Sequence, residues 1–325
     1  MTMQFQFSPD QQDLIQATHE MLLAETPITR LRALSQGAAS TDISEQLAEM
    51  GLPSLLLPET QGGLAQDFVV MTAIAESAGY VNLPEDLVEQ AGLVLPQLVE
   101  LQQETVLQEA LAGKAKVGLI ADARPYLEAR DYDYFIAGDQ LIPAAEISCV
   151  PVKTIDPLRA LVKPAVAAIT PAALAEKGAI LAAAQLLGLA RRMVDLAVDY
   201  AKEREQFGQK IGQFQAVKHL LASVYTQIEF TRPLVCLAAV TGGAHVHNAK
   251  ISAIDTAMLA GETAIQIFGG MGYTFEVDLH LFMKRAWALC GAWGDRSFHT
   301  RKLETLIFDG TMEIGPGVSF RQGEG

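Results

Sequence analysis

The stretch from Thr170 to about Tyr200 constrains this fold most. Thr170-Pro171 reads as an N-cap with proline at the first helical position. The helix could run to about Tyr200, and a loop holding Gly208 and Gly212 breaks it. Apolar residues lie on every side of this helix, so it has no face to give to water and must be surrounded by other elements. Its longest apolar run, Ala179 to Ala190, contains Gln185 and falls short of the roughly 20 residues a membrane span needs. The segment therefore reads as the central helix of a bundle.

Partners for that helix follow in the chain. Phe214, Val217, Leu221, Val224, Tyr225 and Ile228 recur on one helical face, and Ile251, Ile254, Met258 and Ile265 mark a third helix. Gly269-Gly270-Met271-Gly272 closes it, and a last helix runs from near Leu279 to about Leu289. The first part also reads as helices. Ser8-Pro9-Asp10 starts one that carries Leu14, Met21 and Leu22, and a second spans about Asp42 to Met50 and stops at Gly51. Two more cover Phe68–Ala78 and Leu87–Leu101. Between these helical regions, KVGLIA, YDYFIAG and LRALVKPAVAAI are short, apolar or alternating, and broken by Gly, Pro and Asp, as strands are. The expected organisation is an N-terminal helical domain (1–112), a reduced middle β-domain (113–169), a C-terminal helical bundle (170–309) and a flexible tail (310–325), mostly α with a small β segment.

Composition narrows the function. Half of the 325 residues are apolar and 19% are charged, which suits a large core without staples. Residues 1–112 hold 16 acids and two bases, so they carry the whole net charge of −14, while the remainder is balanced. No basic stripe is present, which argues against nucleic acid. Cys149, Cys236 and Cys290 are odd in number and lack CxxC spacing, as in a reduced compartment. The N-terminus lacks the basic and apolar regions of a signal peptide. A cytoplasmic protein without a membrane span is expected.

Two segments carry chemistry. Tyr200 to Gln215 would deliver Arg204, Gln206 and Phe207 beside a glycine turn, with Ile211, Phe214 and Gln215 following. An arginine fork can hold a pyrophosphate and phenylalanines can wall a planar ring; an ordinary helix C-terminus with cations at its dipole accounts for the residues equally well. Gln266 to Tyr273 holds glycines that would let backbone approach a ligand, or simply stop a helix.

In this order, the two segments resemble the C-terminal domain of the acyl-CoA dehydrogenase family, with its R-x-x-F-G and Q-I-x-G-G-x-G-[FY] patterns, and EMGLPSLLLPETQGG is similar to the family's E-x-G-[LI]-x-x-x-x-x-P-E-x-x-G-G stretch. The resemblance covers most of residues 5–305 and implies FAD at a subunit interface. A carboxylate would remove the acyl α-proton while the β-hydride passes to the flavin. It also implies that Arg204 binds the FAD pyrophosphate across the dimer with Gln206 and Phe207 beside it. Ile211, Phe214 and Gln215 would line the adenosine end, and Gln266 and Gly270 would touch the neighbour's FAD.

The chain departs from the family in three places. The T-E-P-x-x-G-S loop is absent between Ala121 and Thr170. Trp293 stands where the catalytic Glu of a Y-E-G-T loop falls, and Gly178 stands at the alternative base position on the first bundle helix. Three acids could substitute: Asp295, Asp309 in Phe308-Asp309-Gly310-Thr311, and Glu176. Each has a plainer role: Asp295 could cap a helix or pair with Arg296, Asp309 could sit in a solvated turn, and Glu176 suits a first helical turn. His245 and His247 read as a surface pair, His219 as structural, and no metal site is expected. Lys284 and Arg285 could meet a CoA phosphate or form a solvated face.

The resemblance thus implies FAD-dependent α,β-dehydrogenation of an acyl-CoA thioester in lipid metabolism, alone or within a heteromer. The alternative is a non-catalytic subunit that completes a partner's flavin site. The expected assembly is a homo-oligomer or an α2β2 heterotetramer with a longer acyl-CoA dehydrogenase.

Overall fold

The computed structural model describes residues 7–38, 42–166 and 168–312. Ser8 opens α1 (Pro9–Glu25) with a capping box: its hydroxyl accepts from Gln11 N at 3.2 Å, and Gln11 Oε1 accepts from Ser8 N at 3.0 Å. Then follow α2 (Ile28–Ser35), α3 (Ser44–Glu49) and α4 (Phe68–Val81). The helix expected over Leu87–Leu101 is divided: α5 (Leu87–Glu89) and α6 (Leu95–Glu100) are joined by a π-helical turn, Gln90–Val94. One extra residue per turn there shifts the face that α5 presents. Helix α7 (Glu104–Leu111) ends the region.

The middle segment folds as two three-stranded sheets. In the first, β1 (Val117–Ile120) runs parallel to β3 (Tyr134–Ala137), which pairs antiparallel with β4 (Gln140–Pro143). In the second, β6 (Leu161–Pro164) lies between β2 (Leu127–Glu128) and β5 (Cys149–Val152), antiparallel to both. Strands β1, β3 and β6 fall in the three expected segments; β2, β4 and β5 were not anticipated, because they are short and half-exposed and leave little apolar signal.

The long central helix is α8 (Ala172–Glu203). It begins one residue later than expected, with Pro171 at the cap position and no side-chain cap. Thr170 does not cap it; its hydroxyl binds the Asp122 carboxylate instead, tying the helix entrance to the end of β1. By length and composition α8 could cross a membrane, but 67% of its most apolar window is buried by other elements of this fold. The tightest of these packings is with α4. A Cβ on Gly188 would come within 1.9 Å of Glu76 O, and one on Gly79 within 2.2 Å of Gln185 O, so only glycine permits the two backbones to approach so closely.

After α8 come a hairpin, β7 (Glu205–Gln206) and β8 (Gln209–Lys210), and then α9 (Gln215–Thr241), α10 (Ala244–Phe268) and α11 (Leu279–Gly291). A further helix, α12 (Arg296–Phe308), was not expected; its only buried residue is His299, so it carries almost no apolar periodicity. Of the tail expected from Gly310 onward, residues 313–325 lie outside the described residues. One continuous core joins α1, α4, α8, α9, α10 and α11, including Leu22, Ile74, Leu187, Ile228, Ala257 and Phe282.

Candidate functional site

A cavity of about 310 Å³ opens where the N-terminal helices, the sheets and the bundle meet. Leu83, Val88 and Leu93 come from the N-terminal helices, Leu181, Ala182 and Gln185 from α8, and Ala288 and Leu289 from α11. Its bundle side is mostly apolar, apart from Gln185 and Arg285. The opposite side is charged, because the divided helix turns Asp86 and Glu89 inward and the strand region supplies Arg124 and Glu128.

Those charges are ordered by a network of ion pairs. Arg124 Nη2 binds Glu89 Oε1 at 2.5 Å, and Arg130 Nη2 binds Glu128 Oε2 at 2.8 Å. Arg159 holds Glu128 at 3.1 Å and Asp156 at 3.0 Å, and also donates to Asn82 Oδ1 and the Leu83 carbonyl. Arg285 reaches Asp156 at 3.6 Å and Gln185 at 3.3 Å. The expectation of a solvated Lys284–Arg285 face therefore fails for Arg285, which burial, reinforced by Arg159, pushes down to about 10. Burial also raises Asp86 and Glu89 above the usual carboxylate range despite Arg130 and Arg124. At Glu128 burial acts upward too, but Arg159, Arg130 and Arg285 outweigh it and hold the group low. The sequence reading passed over Glu89, Asp86 and Glu128. Glu89 sits in a helix where an acid is unremarkable, immediately before the π turn, and lines the cavity.

Trp293 and Gly178, the two positions where the resemblance leads one to expect a base, come together at one end of this cavity. Trp293 lies directly on Gly178: a Cβ on that glycine would sit 2.3 Å from Trp293 Cδ2. The indole is 6% exposed. Its backbone N–H donates to the Ala123 carbonyl at 3.0 Å, and the Arg124 guanidinium stands 5.5 Å from the ring centroid. Neither residue can take a proton.

The three candidate acids lie elsewhere. Asp295 is exposed and caps α12, its Oδ1 accepting from Phe298 N at 2.7 Å. Asp309 is exposed at the other end of α12, and Glu176 accepts from Gly243 N at 3.1 Å. None of the three lines the cavity. Of the two plainer roles expected for Asp295, the cap is the one it takes, and Arg296 binds Asp255 instead, at 2.7 Å. His247 is not a surface pair with His245; it contacts His299, Nδ1 to Nδ1, at 2.8 Å. Among the described residues no group of three or more His, Cys, Asp or Glu could hold a metal ion.

The residues of the two glycine-bearing segments form a second, separate surface. Arg204 ends α8, and its backbone is tied to Ile211 N at 2.8 Å. Phe207 tips the β7–β8 hairpin at φ 54° with 92% exposure, packed edge-on to Phe214 at 6.2 Å. Arg204, Gln206, Gln215, Gln266 and Gly270 are all exposed, while Ile211 is half-buried. Tyr200 stacks on Phe268 at 4.4 Å, which brings the hairpin and the glycine turn side by side. Even Gln185, the cavity residue nearest to Arg204 along α8, is roughly 30 Å away at 1.5 Å per residue. One small cofactor molecule cannot touch both the hairpin and the apolar end of the cavity in the same chain.

Comparison with known proteins agrees with this architecture. Residues 172–296 match the family model "Acyl-CoA dehydrogenase, C-terminal domain". The chain is 31% identical over 246 residues to acyl-CoA dehydrogenase IpdE2 of Mycobacterium tuberculosis, covering 73% of this chain and 77% of that one. It is 30% identical to IpdE2 of Mycolicibacterium smegmatis, covering 80% and 86%. Among solved structures, the ChsE4-ChsE5 complex from Mycobacterium tuberculosis has the same fold, with a TM-score of 0.82 at 19% identity over 94% of this chain and 99% of that one.

Proposed function

The chain belongs to the acyl-CoA dehydrogenase family, and from that premise we propose that it is one subunit of a heteromeric, FAD-dependent acyl-CoA dehydrogenase. Its role is to complete a flavin site shared with a longer partner in an α2β2 assembly. The observation that carries this reading is the contact of Trp293 with Gly178. Where relatives place a base, this chain packs an indole on a glycine, so the proton-abstracting carboxylate belongs to the partner.

The hairpin fits the cofactor's polar end. Arg204 and Gln206 are exposed, with no hydrogen bond from their side chains among the described residues, and are free to bind phosphate oxygens. Phe207 and Phe214 offer an aromatic wall, and Gly270 leaves open space around its Cα. Distance from this chain's own cavity supports delivery of these groups to a neighbour's FAD. When bound, FAD supplies the hydride acceptor for oxidation of the acyl α,β-bond. Arg204 and Gln206 would bind and orient it, and the apolar hairpin tip would keep water from the adenosine end.

Co-expression with a longer acyl-CoA dehydrogenase tests the reading. The complex is expected to be yellow and to dehydrogenate an acyl-CoA, while the chain alone does not turn over. Robust dehydrogenation by the chain alone would overturn it. A second reading has one observation in its favour: Glu89, a cavity carboxylate that burial raises, could serve as the base of a self-sufficient enzyme. Turnover by the lone chain that Glu89→Gln abolishes would establish that alternative.

A further inference from the structure

The loop between α11 and α12 holds an unfavourable conformation. Trp293 has φ 60° and Gly294 φ 97°, and a bulky residue enters the left-handed region only when its surroundings force it there. Three anchors do so. Trp293 N–H donates to Ala123 O at 3.0 Å, Lys250 Nζ donates to Leu289 O at 2.7 Å, and His299 Nε2 lies 3.1 Å from Trp293 O. A carbonyl can only accept, so His299 carries its proton on Nε2 and leaves Nδ1 as an acceptor. The facing Nδ1 of His247, 2.8 Å away, must then be the donor. The two imidazoles form a relay that ends on the Trp293 backbone.

We infer that His299 is a positioning residue: with His247 it holds Trp293 against Gly178 as the end wall of the cavity, and thereby fixes how far an apolar group can enter between α8 and α11. His299 is 1% exposed and lines no part of the cavity itself. The charged and titratable groups around the relay come from every neighbouring helix. Lys250 on α10 and Lys302 on α12 oppose charging of the rings, Glu176 on α8 favours it, and Cys290 on α11 faces Lys250 with Asp255 beyond it. A first added proton fits on His247 Nε2 without disturbing the relay. A second would place N–H groups on both Nδ1 atoms, which cannot face each other at 2.8 Å, and the hold on Trp293 is lost.

The inference depends on the cavity and not on which subunit turns over, and indole emission reads it without flavin, partner or substrate. Its failure and the failure of the proposed subunit role are therefore separate results. The chain has two tryptophans, so Trp287→Phe leaves Trp293 as the sole emitter in the full-length chain. At pH 7 that parent is expected to show blue-shifted emission resistant to acrylamide. His299→Gln, which keeps an N–H for the Trp293 carbonyl, should match it. His299→Phe should show red-shifted, quenchable emission with unchanged helical circular dichroism. On acidification the parent should release Trp293 before helix is lost. His247→Asn, whose amide can turn its oxygen toward a charged His299, should release it at a pH lower by about one unit. Native-like emission from His299→Phe, or equal release pH in the parent and His247→Asn, would overturn the inference. If His299→Phe does not fold, the His247→Asn comparison alone decides.

Discussion

Replacing Gly178 by alanine should destabilise the protein, against the usual trend for helices. In a helix interior, Gly→Ala ordinarily gains about 1 kcal/mol through backbone entropy. Here the added methyl would lie 2.3 Å from Trp293 Cδ2 and 2.4 Å from Cε2, far inside van der Waals contact. The backbone of Trp293 is held at both N–H and C=O, so it cannot shift freely, and the buried indole can yield only by changing rotamer against its packed neighbours. Overpacking of this kind costs about 1–3 kcal/mol net. Trp293→Ala on its own should cost about 3–5 kcal/mol, as for other buried aromatic truncations. In that background the obstacle is gone, so Gly178→Ala should become stabilising by about 1 kcal/mol. The coupling between the two changes is then about 2–4 kcal/mol, which a double-mutant cycle on guanidinium unfolding midpoints resolves at constant slope. A stabilising Gly178→Ala in the wild-type chain would refute the packing argument.

Three other outcomes are expected. Arg159→Met should lower stability by about 3–5 kcal/mol, since it removes the closest cation from the buried carboxylate of Asp156, leaving only the longer contact to Arg285, and frees one arm of Glu128; a midpoint shift worth less than about 1 kcal/mol would contradict this. Burial pushes Lys250 down to about 8 in the folded chain, against 10.5 in the unfolded one. Below pH 8 both states hold the proton and the folded state bears the cost of the buried charge; between 8 and 10.5 only the unfolded state holds it, so stability rises with pH by up to about 3 kcal/mol. Lys250→Met should remove that rise, as measured by unfolding midpoints across the range. Arg204→Ala should lower the visible flavin absorbance of the heteromeric complex and leave the chain's melting temperature within about 1 °C, because an exposed, unpartnered arginine contributes little to folding.

What was legible in the sequence followed from local chemistry. An all-round apolar run reads as a central helix, and Ser8-Pro9-Asp10 as a helix start, so the existence of α8 and α1 was readable, with the start of each within one residue and the end of α8 three residues beyond the expected Tyr200. Strands β1 and β3 carried enough apolar signal, whereas α12, with one buried residue, did not. The loop after Arg204, which proves to be a hairpin, and the glycine turn at Gly269 were visible because turns are written in adjacent residues. Spacing also singled out Trp293 and Gly178 as the two positions where the resemblance leads one to expect a base.

Only the tertiary structure decided that these two residues touch. The same holds for the placing of Glu89 in the cavity, for Arg159 gathering carboxylates from separate strands and loops, and for the contact of His247 with His299 behind the indole. Each depends on elements distant in the chain being brought to van der Waals or hydrogen-bonding distance. Local periodicity encodes which face of an element is buried, but not which residue of another element will meet it.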